Sequence, residues 1–227
     1  LVNAMNLSDW RRDQVHKYHL QRFFYFSRIE NLESMLMHGV LPKNAVIHAG
    51  YKSVSFAEET VQERRHGKII ELSDYTKVPL HSLVPLYLTP RTPALSVRRN
   101  IQPELFFLDI SIDAVCNDIA QFAFTDGNAG ASQTKFYRSL YKLSEIPWDV
   151  VYGEYWNDYI DGKRKRCCEF LIYPRIEPKY FERIVVLTDS LAQKCDQIII
   201  QAGSDLRAPH YPQLARVPHI ASTVCNA

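Results

Sequence analysis

One glutamate stands out because it lies in an otherwise apolar segment of the chain. The segment YWNDYIDGKRKRCCEFLI, residues 155–172, begins with aromatic and basic residues and runs into a predicted strand. Glu169 is the acidic residue of that strand, between Cys168 and Phe170. A carboxylate in such surroundings is a candidate for acid–base or electrostatic catalysis. The alternative, which this local pattern alone favours, is an edge-strand glutamate that faces water.

Other residues that could support chemistry form weaker patterns. His16 and His19 make an HxxH pair with no nearby carboxylate or cysteine partner, so we predict no metal site. Cys167 and Cys168 are adjacent in a predicted strand and lack an identifiable base, which argues against a nucleophilic cysteine. The chain contains no GxGxxG and no GxxxxGK motif, and it has 8 glycines in all. A Rossmann or P-loop enzyme is therefore disfavoured.

The composition predicts a globular protein of one domain, residues 1–227. The chain is 46% hydrophobic and 23% charged, and no apolar run approaches the length of a membrane span, so we predict a soluble protein with no membrane partner. Five cysteines in a chain of this size suggest no disulfide framework, which fits a cytoplasmic location. The net charge of +2 is mild, but basic residues cluster at 64–66, 98–99 and 163–166. Each cluster alone is more often a solvated turn.

The order of predicted elements indicates an α+β fold without regular βαβ alternation. The pattern predicts strands at 23–27, 105–112, 169–173 and 183–187. It predicts helices over 29–38 with a stop at Gly39, from about Ala57 to the arginines at 64 and 65, over 133–143, and over 189–201. Four prolines between residues 78 and 95 exclude a long helix there and favour short extended pieces. DGNAG at 126–130 predicts a turn.

Several blocks in order make the sequence resemble the DarT family, the toxin halves of DNA ADP-ribosylating toxin–antitoxin systems. The likeness spans about residues 23–190. The blocks are FFYFSRIENLESMLMHG at 23–39, VQERR at 61–65, LHSLVPLYLTPRTPAL at 80–95, FTD at 124–126, YW at 155–156 and CCEFLI at 167–172. One block would be weak evidence, whereas six in the same order are specific.

The resemblance implies an ADP-ribosyltransferase-like fold, in which two small sheets form a cleft for NAD, with flanking helices. It implies transfer of ADP-ribose from NAD to a base of single-stranded DNA, with release of nicotinamide. Glu169 matches the family's catalytic glutamate at the end of a substrate-recognition loop, here about 128–169. A carboxylate suits this reaction because it can stabilise positive charge developing on the ribose and accept a proton from the incoming group.

The resemblance also implies an NAD site. Arg65 matches the second arginine of a family pair that contacts NAD and has been assigned a direct catalytic part, a task that suits a permanently charged, planar guanidinium. The segment 44–67 matches the family's NAD-binding loop and helix. Further NAD contacts map by position to Tyr25, Phe26, Ser27, Ser34 and Pro42.

Two positions depart from the common family pattern. Many members carry histidine where this chain has Tyr25 and Arg28. Tyrosine does not titrate near neutral pH, so orientation of NAD is the expected role of Tyr25. Some members modify thymine and another branch modifies guanine, and the departures favour guanine slightly, with thymine next.

The predicted contacts to single-stranded DNA are aromatic and basic, which suits stacking and phosphate binding. They are Arg91, Tyr155, Trp156, Arg164 and Arg166. For Arg91 a structural ion pair is equally plausible, and for Tyr155 and Trp156 so is packing in the core. The family further implies a block of DNA replication and a DarG-like macrodomain antitoxin that removes the ADP-ribose. The alternatives are transfer to RNA or protein, and a silent module that binds NAD or nucleic acid.

Overall fold

The computed structural model describes residues 6–54, 59–205 and 213–216, and within them strands and short helices alternate irregularly. The helices are α1 Leu7–His16, α2 Leu32–His38, α3 Lys43–His48, α4 Glu59–Arg65, α5 Pro93–Ser96, α6 Asp113–Cys116, α7 Trp148–Tyr152, α8 Gly162–Lys165 and α9 Asp189–Asp205. The strands are β1 Arg22–Arg28, β2 Ile69–Glu71, β3 Lys77–Pro79, β4 Val84–Tyr87, β5 Leu105–Ser111, β6 Gln121–Thr125, β7 Phe136–Tyr137, β8 Glu169–Tyr173, β9 Phe181–Val186 and β10 Gln213–Arg216.

The strands form one large sheet and one small sheet within the described ranges. The large sheet has the order β10-β9-β5-β1-β4-β8-β6-β7, and its pairs are antiparallel except for β9 with β10. The small sheet pairs β2 with β3. β4 lies beside β8 with Tyr87 opposite Glu169, and β1 lies on the other side of β4 with Phe24 opposite Tyr87. This order places β4 and β6, which contain parts of the blocks at 80–95 and 124–126, on either side of the strand that begins with Glu169.

Different elements pack against the two faces of the large sheet. One face carries the main core, in which α1, α2 and α9 bury Val15, Leu36 and Cys195 among side chains from the strands. The other face packs Leu171 of β8 against the small sheet, in a separate apolar cluster. Because side chains alternate along a strand, Cys168 and Phe170 join the main core while Glu169 and Leu171 point to the opposite face.

The predicted α+β class is confirmed, and so are most of the predicted elements. β1, β5, β8 and β9 occupy the predicted segments, and α2 ends at Gly39 with a φ of 82°. An added Cβ at Gly39 would meet the backbone of Ile176, so this position requires glycine for both reasons. The two predicted sheets are present but unequal, since the larger one has eight strands in the described residues.

The helix predicted over 133–143 is wrong. Phe136 and Tyr137 form β7, which pairs with Phe124 and Thr125 of β6. A 3-10 helix at Leu140–Glu145 follows this strand. The apolar spacing that suggested a helix arises from a strand and a 3-10 turn in succession, because pairing with the edge of β6 overrides the local pattern.

Two further findings bear on the predictions. The helix predicted from about Ala57 is confirmed as α4 from Glu59, while residues 55–58 lie outside the described part of the chain. In the described residues, no helix combines the length and the apolar character needed to span a membrane.

Candidate active site

Glu169 lies at the start of β8 and is buried, with 1% of its surface exposed. Its backbone N–H donates to the Oγ1 of Thr125 in β6 at 3.0 Å. Thr125 in turn donates its hydroxyl proton to the carbonyl of Gly127 at 2.6 Å. The carboxylate therefore projects from a fixed strand end, and it does not face water as the alternative from the sequence would require.

Arg65 provides the cation for this carboxylate. It is the last residue of α4, and its Nη1 lies 3.1 Å from Oε1 and 3.0 Å from Oε2 of Glu169. The exposed fractions of the two side chains are 10% and 1%. Charges removed from water in this way need good geometry and further hydrogen bonds to be tolerated. The structure thus brings together the two residues that the sequence singled out as catalytic.

A backbone N–H supplies another hydrogen bond to the carboxylate. The N–H of Ala129 donates to Oε1 of Glu169 at 3.2 Å. Ala129 lies in the turn that the DGNAG segment predicts, and Gly130 follows with its N–H on the side-chain oxygen of Asn128 at 2.8 Å. A turn that is 40 residues away in sequence therefore completes the surroundings of the carboxylate.

Arg164 and Lys68 fix this turn from two directions. Nη1 of Arg164 donates to the carboxylate of Asp126 at 3.0 Å and to the hydroxyl of Thr134 at 3.1 Å. Nζ of Lys68 donates to two carbonyls of the turn, those of Ala129 at 2.7 Å and Ala131 at 2.9 Å. Burial lowers the pKa of Lys68, as does the positive charge of Arg65, while Glu169 raises it. Lys68 therefore shares the electrostatic environment of the Arg65–Glu169 pair.

Tyr87 lies opposite Glu169 on the neighbouring strand. Its ring stacks on Phe26, with 5.3 Å between the ring centroids. Burial raises the pKa of Tyr87 far above its usual value, and the negative charge of Glu169 raises it further. Tyr87 is therefore a neutral hydroxyl beside the carboxylate at physiological pH.

Five residues were predicted to contact NAD and to have no catalytic role, and three of them line one pocket. Tyr25, Ser27 and Ser34 line it, together with residues from the segments 39–41 and 51–53. Burial raises the pKa of Tyr25 to about 12, so its hydroxyl stays protonated at neutral pH. Phe26 points to the opposite face of β1, where it packs with Tyr87. Pro42 is buried just before α3.

Asn31 connects this pocket to the loop that borders it. Its side-chain amide donates to the hydroxyl of Ser27 at 2.9 Å and to the carbonyl of Val54 at 3.0 Å. Its side-chain oxygen accepts from the N–H of Val54 at 2.9 Å. The loop up to Val54 belongs to the predicted NAD-binding segment 44–67, of which 55–58 lie outside the described residues.

The residues predicted to contact DNA occupy different environments. Tyr155 is 37% exposed, and Arg91 is close enough to influence it electrostatically. Trp156 and Arg166 are buried, at 6% and 1% exposure. The guanidinium of Arg166 donates to the carbonyl of Val151 at 3.0 Å, which is the pattern of a structural arginine. Arg164 donates hydrogen bonds to Asp126 and Thr134 at the turn that contains Ala129.

The described residues contain no group of three or more histidine, cysteine or acidic side chains placed to hold a metal ion. The groups that the described residues do bring to the site are a buried carboxylate, a guanidinium and a backbone N–H. Such a site can stabilise a cationic centre and accept a proton.

Comparison with known proteins identifies the family. Residues 24–216 match a family model described as DarT, ssDNA thymidine ADP-ribosyltransferase. The chain belongs to the DarT family. It is thereby a DNA ADP-ribosyltransferase, as the resemblance implied.

Relatives and solved structures agree with this membership. The chain is 27% identical over 191 residues to a DNA ADP-ribosyl transferase of Thermus sp. (strain 2.9), covering 78% of this chain and 87% of that protein. It is 26% identical over 185 residues to a DNA ADP-ribosyl transferase-DNA ADP-ribosyl glycohydrolase fusion protein of Thermosipho africanus (strain H17ap60334), covering 79% of this chain and 46% of that protein.

The fold is that of solved DarT structures. The structure of Thermus sp. 2.9 DarT in complex with ADP-ribosylated ssDNA superposes with a TM-score of 0.77 at 24% identity, covering 88% of this chain and 95% of the other. The structure of the same protein in complex with NAD⁺ gives a TM-score of 0.72 at 22% identity, covering 88% and 96%.

Four residues that shape the site were not predicted from the sequence. Thr125, Ala129 and Lys68 position the carboxylate or its turn, and Asn31 fixes the loop beside the pocket. Thr125 falls within the FTD block, which was a usable signal. Ala129 contributes its backbone N–H, and the chemistry of its side chain gives no sign of that role.

Proposed function

We propose that this chain transfers the ADP-ribose of NAD to a base of single-stranded DNA and releases nicotinamide, with Glu169 and Arg65 at the reacting centre. The observation that carries the proposal is the buried pair itself, in which one guanidinium nitrogen contacts both oxygens of a carboxylate that also accepts a backbone N–H. Two solved structures of one relative support NAD and DNA as substrates, since they contain ADP-ribosylated ssDNA and NAD⁺ as bound species.

The reaction exchanges one glycosidic bond for another. The bond from the ribose carbon to the nicotinamide nitrogen breaks, and nicotinamide leaves as a neutral molecule with the electron pair. A base nitrogen of the DNA forms the new bond to the same carbon and loses its proton to Glu169. The carboxylate also offsets the positive charge that builds on the ribose during this exchange. Arg65 orients the carboxylate and contributes a donor fork for the pyrophosphate of NAD.

The pocket beside β1 supports a site for the nicotinamide end of NAD. Tyr25, Ser27 and Ser34 offer hydroxyl groups there, and Asn31 fixes the bordering loop. Tyr155 is the exposed member of the predicted DNA-contacting set, and the half-buried Arg91 acts on it electrostatically, so we assign direct DNA contact to these two residues. The buried Trp156 and Arg166 support the segment from which Tyr155 projects.

Two observations bear on which base is modified, and they disagree. The departures from histidine at Tyr25 and Arg28 favour guanine, whereas the description of the matched family model names thymidine. We give more weight to the departures in this chain, so we propose guanine and keep thymine as the second candidate. A base in single-stranded DNA is available to this site because its edges are unpaired.

The biological role that fits this activity is that of a toxin that blocks DNA replication and is opposed by a macrodomain antitoxin. The Thermosipho africanus relative supports a partner of this kind, because that protein is a fusion with a DNA ADP-ribosyl glycohydrolase. We place the protein in the cytoplasm. The buried free thiols at Cys116, Cys167, Cys168 and Cys195 fit a reducing compartment.

The proposal can be tested with NAD and four short single-stranded DNAs, each lacking one type of base. We expect mass spectrometry to show one added ADP-ribose on three of them and none on the DNA that lacks the modified base. Glu169→Gln should abolish the addition while the protein stays folded. No adduct on any DNA would contradict the proposal. Label on RNA or protein would then indicate another acceptor, and intact NAD would indicate a silent module.

A further inference from the structure

A second cavity lies between strands at the ends of the two sheets. β7 is the end strand of the large sheet, and β2 pairs with β3 in the small one. The cavity between them has a volume of about 290 Å³ and is lined by residues 68–71 together with Phe136 and Arg138. This volume is at the lower end of small-molecule pockets, so it suits a single nucleobase.

The lining combines an aromatic ring, exposed apolar surface and cations. Ile69 is 60% exposed, and Phe136 is partly buried against the small sheet. Nζ of Lys68 lies 5.7 Å from the centroid of the Phe136 ring. Arg138 contributes a guanidinium whose side chain is 38% exposed and which lies 3.9 Å from the ring centroid of Tyr75. Aromatic faces alternating with cations are how proteins contact single strands without base pairing.

The charges of this lining favour a phosphate group. Glu71 is the single acidic residue of the lining, and its Oε1 lies 3.7 Å from Nε of Arg138. Two cations against one carboxylate leave a net positive lining. A guanidinium has five N–H donors, so Arg138 retains donors for a phosphate while it contacts Glu71.

Lys68 connects the cavity to the catalytic carboxylate. It lines the cavity and also donates to the carbonyl of Ala129, the residue whose N–H contacts Glu169. One side chain and one residue of backbone therefore separate the cavity from the reacting centre. A nucleotide next to the modified base would reach the cavity from there.

We propose that this cavity binds a nucleotide that flanks the modified base, with its base against Phe136 and its phosphate on Arg138. The proposal rests on the proposed function, because it assigns part of the same DNA substrate. Stacking on phenylalanine accepts every base, so the contact adds affinity for a single strand and little sequence preference.

The test compares Phe136→Leu and Arg138→Gln with the unchanged protein in steady-state transfer assays. The DNA substrates carry the target base with either an intact nucleotide or an abasic residue at each neighbouring position. We expect each variant to raise the KM for intact DNA about tenfold, with the KM for NAD unchanged. For Phe136→Leu this rise should vanish when the abasic residue occupies one particular side, whereas for Arg138→Gln it should persist, because an abasic residue keeps its phosphate. Arg138→Gln should also weaken the dependence of the KM for DNA on salt.

Arg12→Gln is the matched control, because Arg12 has nearly the same side-chain exposure, 39%, and its own ion pair with Asp113. We expect it to leave the KM for DNA unchanged. If Arg138→Gln, a surface change compatible with folding, matches the unchanged protein on every DNA, the proposal is wrong. An equal effect of Phe136→Leu on intact DNA and on both abasic DNAs would also contradict it. Absence of transfer by the unchanged protein would instead refute the proposed function.

Discussion

Replacing Arg65 by methionine should remove the cation from a carboxylate with no access to water. Glu169 is 1% exposed and would keep the N–H of Ala129 at 3.2 Å as a hydrogen bond to its side chain. Loss of one partner of a buried ion pair costs about 3–5 kcal/mol, and we expect the lower end because that N–H remains. For a chain of this size, a loss of about 3 kcal/mol lowers Tm by about 6–12 °C.

A second change in the same protein should restore part of this loss. In Arg65→Met combined with Glu169→Gln, the buried group is a neutral amide, and its burial costs less than that of an unpaired charge. We therefore expect the double variant to be about 1–2 kcal/mol more stable than Arg65→Met alone, although neither transfers ADP-ribose. Stability would then partly recover while activity stays absent, which identifies charge burial as the cause of the loss.

Urea unfolding followed by tryptophan fluorescence gives both free energies. The control is Arg12→Met, which breaks a surface pair whose side chains are 39% and 47% exposed and should cost less than about 1 kcal/mol. If the double variant is less stable than Arg65→Met, or if Arg65→Met costs no more than the control, the buried ion pair does not have the energetic role inferred here.

Three other perturbations follow from the same structure. Arg166→Met should lower the free energy of unfolding by about 3 kcal/mol, because it orphans the buried carbonyl of Val151; a loss below 1 kcal/mol in urea unfolding would refute this. Gly127→Ala should reduce kcat for transfer several-fold, since the new Cβ would lie 2.9 Å from Cζ of Arg164 and displace the guanidinium that fixes the turn; an unchanged kcat would show that the turn tolerates the shift. Burial raises the pKa of Cys167 to about 12, so this thiol should resist iodoacetamide at pH 8 in the folded protein and react in urea, as peptide mass spectrometry can show; rapid modification of Cys167 in the folded protein would contradict the burial.

The sequence was sufficient for most of the elements near the site. The apolar residues after Glu169 predicted the strand β8, and the alternation of side chains along any strand puts Glu169 on the face opposite Cys168 and Phe170. Gly39 marked the end of α2 because a positive φ favours glycine. The helix predicted over 133–143 failed because the edge of β6 was available for pairing, which no local window contains.

The residues of the candidate site were likewise predictable only in part. Glu169 and Arg65 were recognisable as residue types within family blocks, and the structure brings them within 3.0 Å of each other. The basic character of the loop indicated Arg166 as a DNA contact, yet its guanidinium lies in the interior. Residue type cannot distinguish these outcomes, because an arginine can bind phosphate or satisfy backbone carbonyls equally well.

By itself the sequence determined which side chains are present, their alternation along strands, and the blocks that indicate the family. The tertiary structure decided which of those side chains meet. Ala129 and Lys68 became part of the site because a turn and a strand start, distant from Glu169 along the chain, are adjacent to it in space. Hydrogen bonds and ion pairs act over a few ångströms, so the chemistry of a buried carboxylate depends on neighbours that only folding supplies.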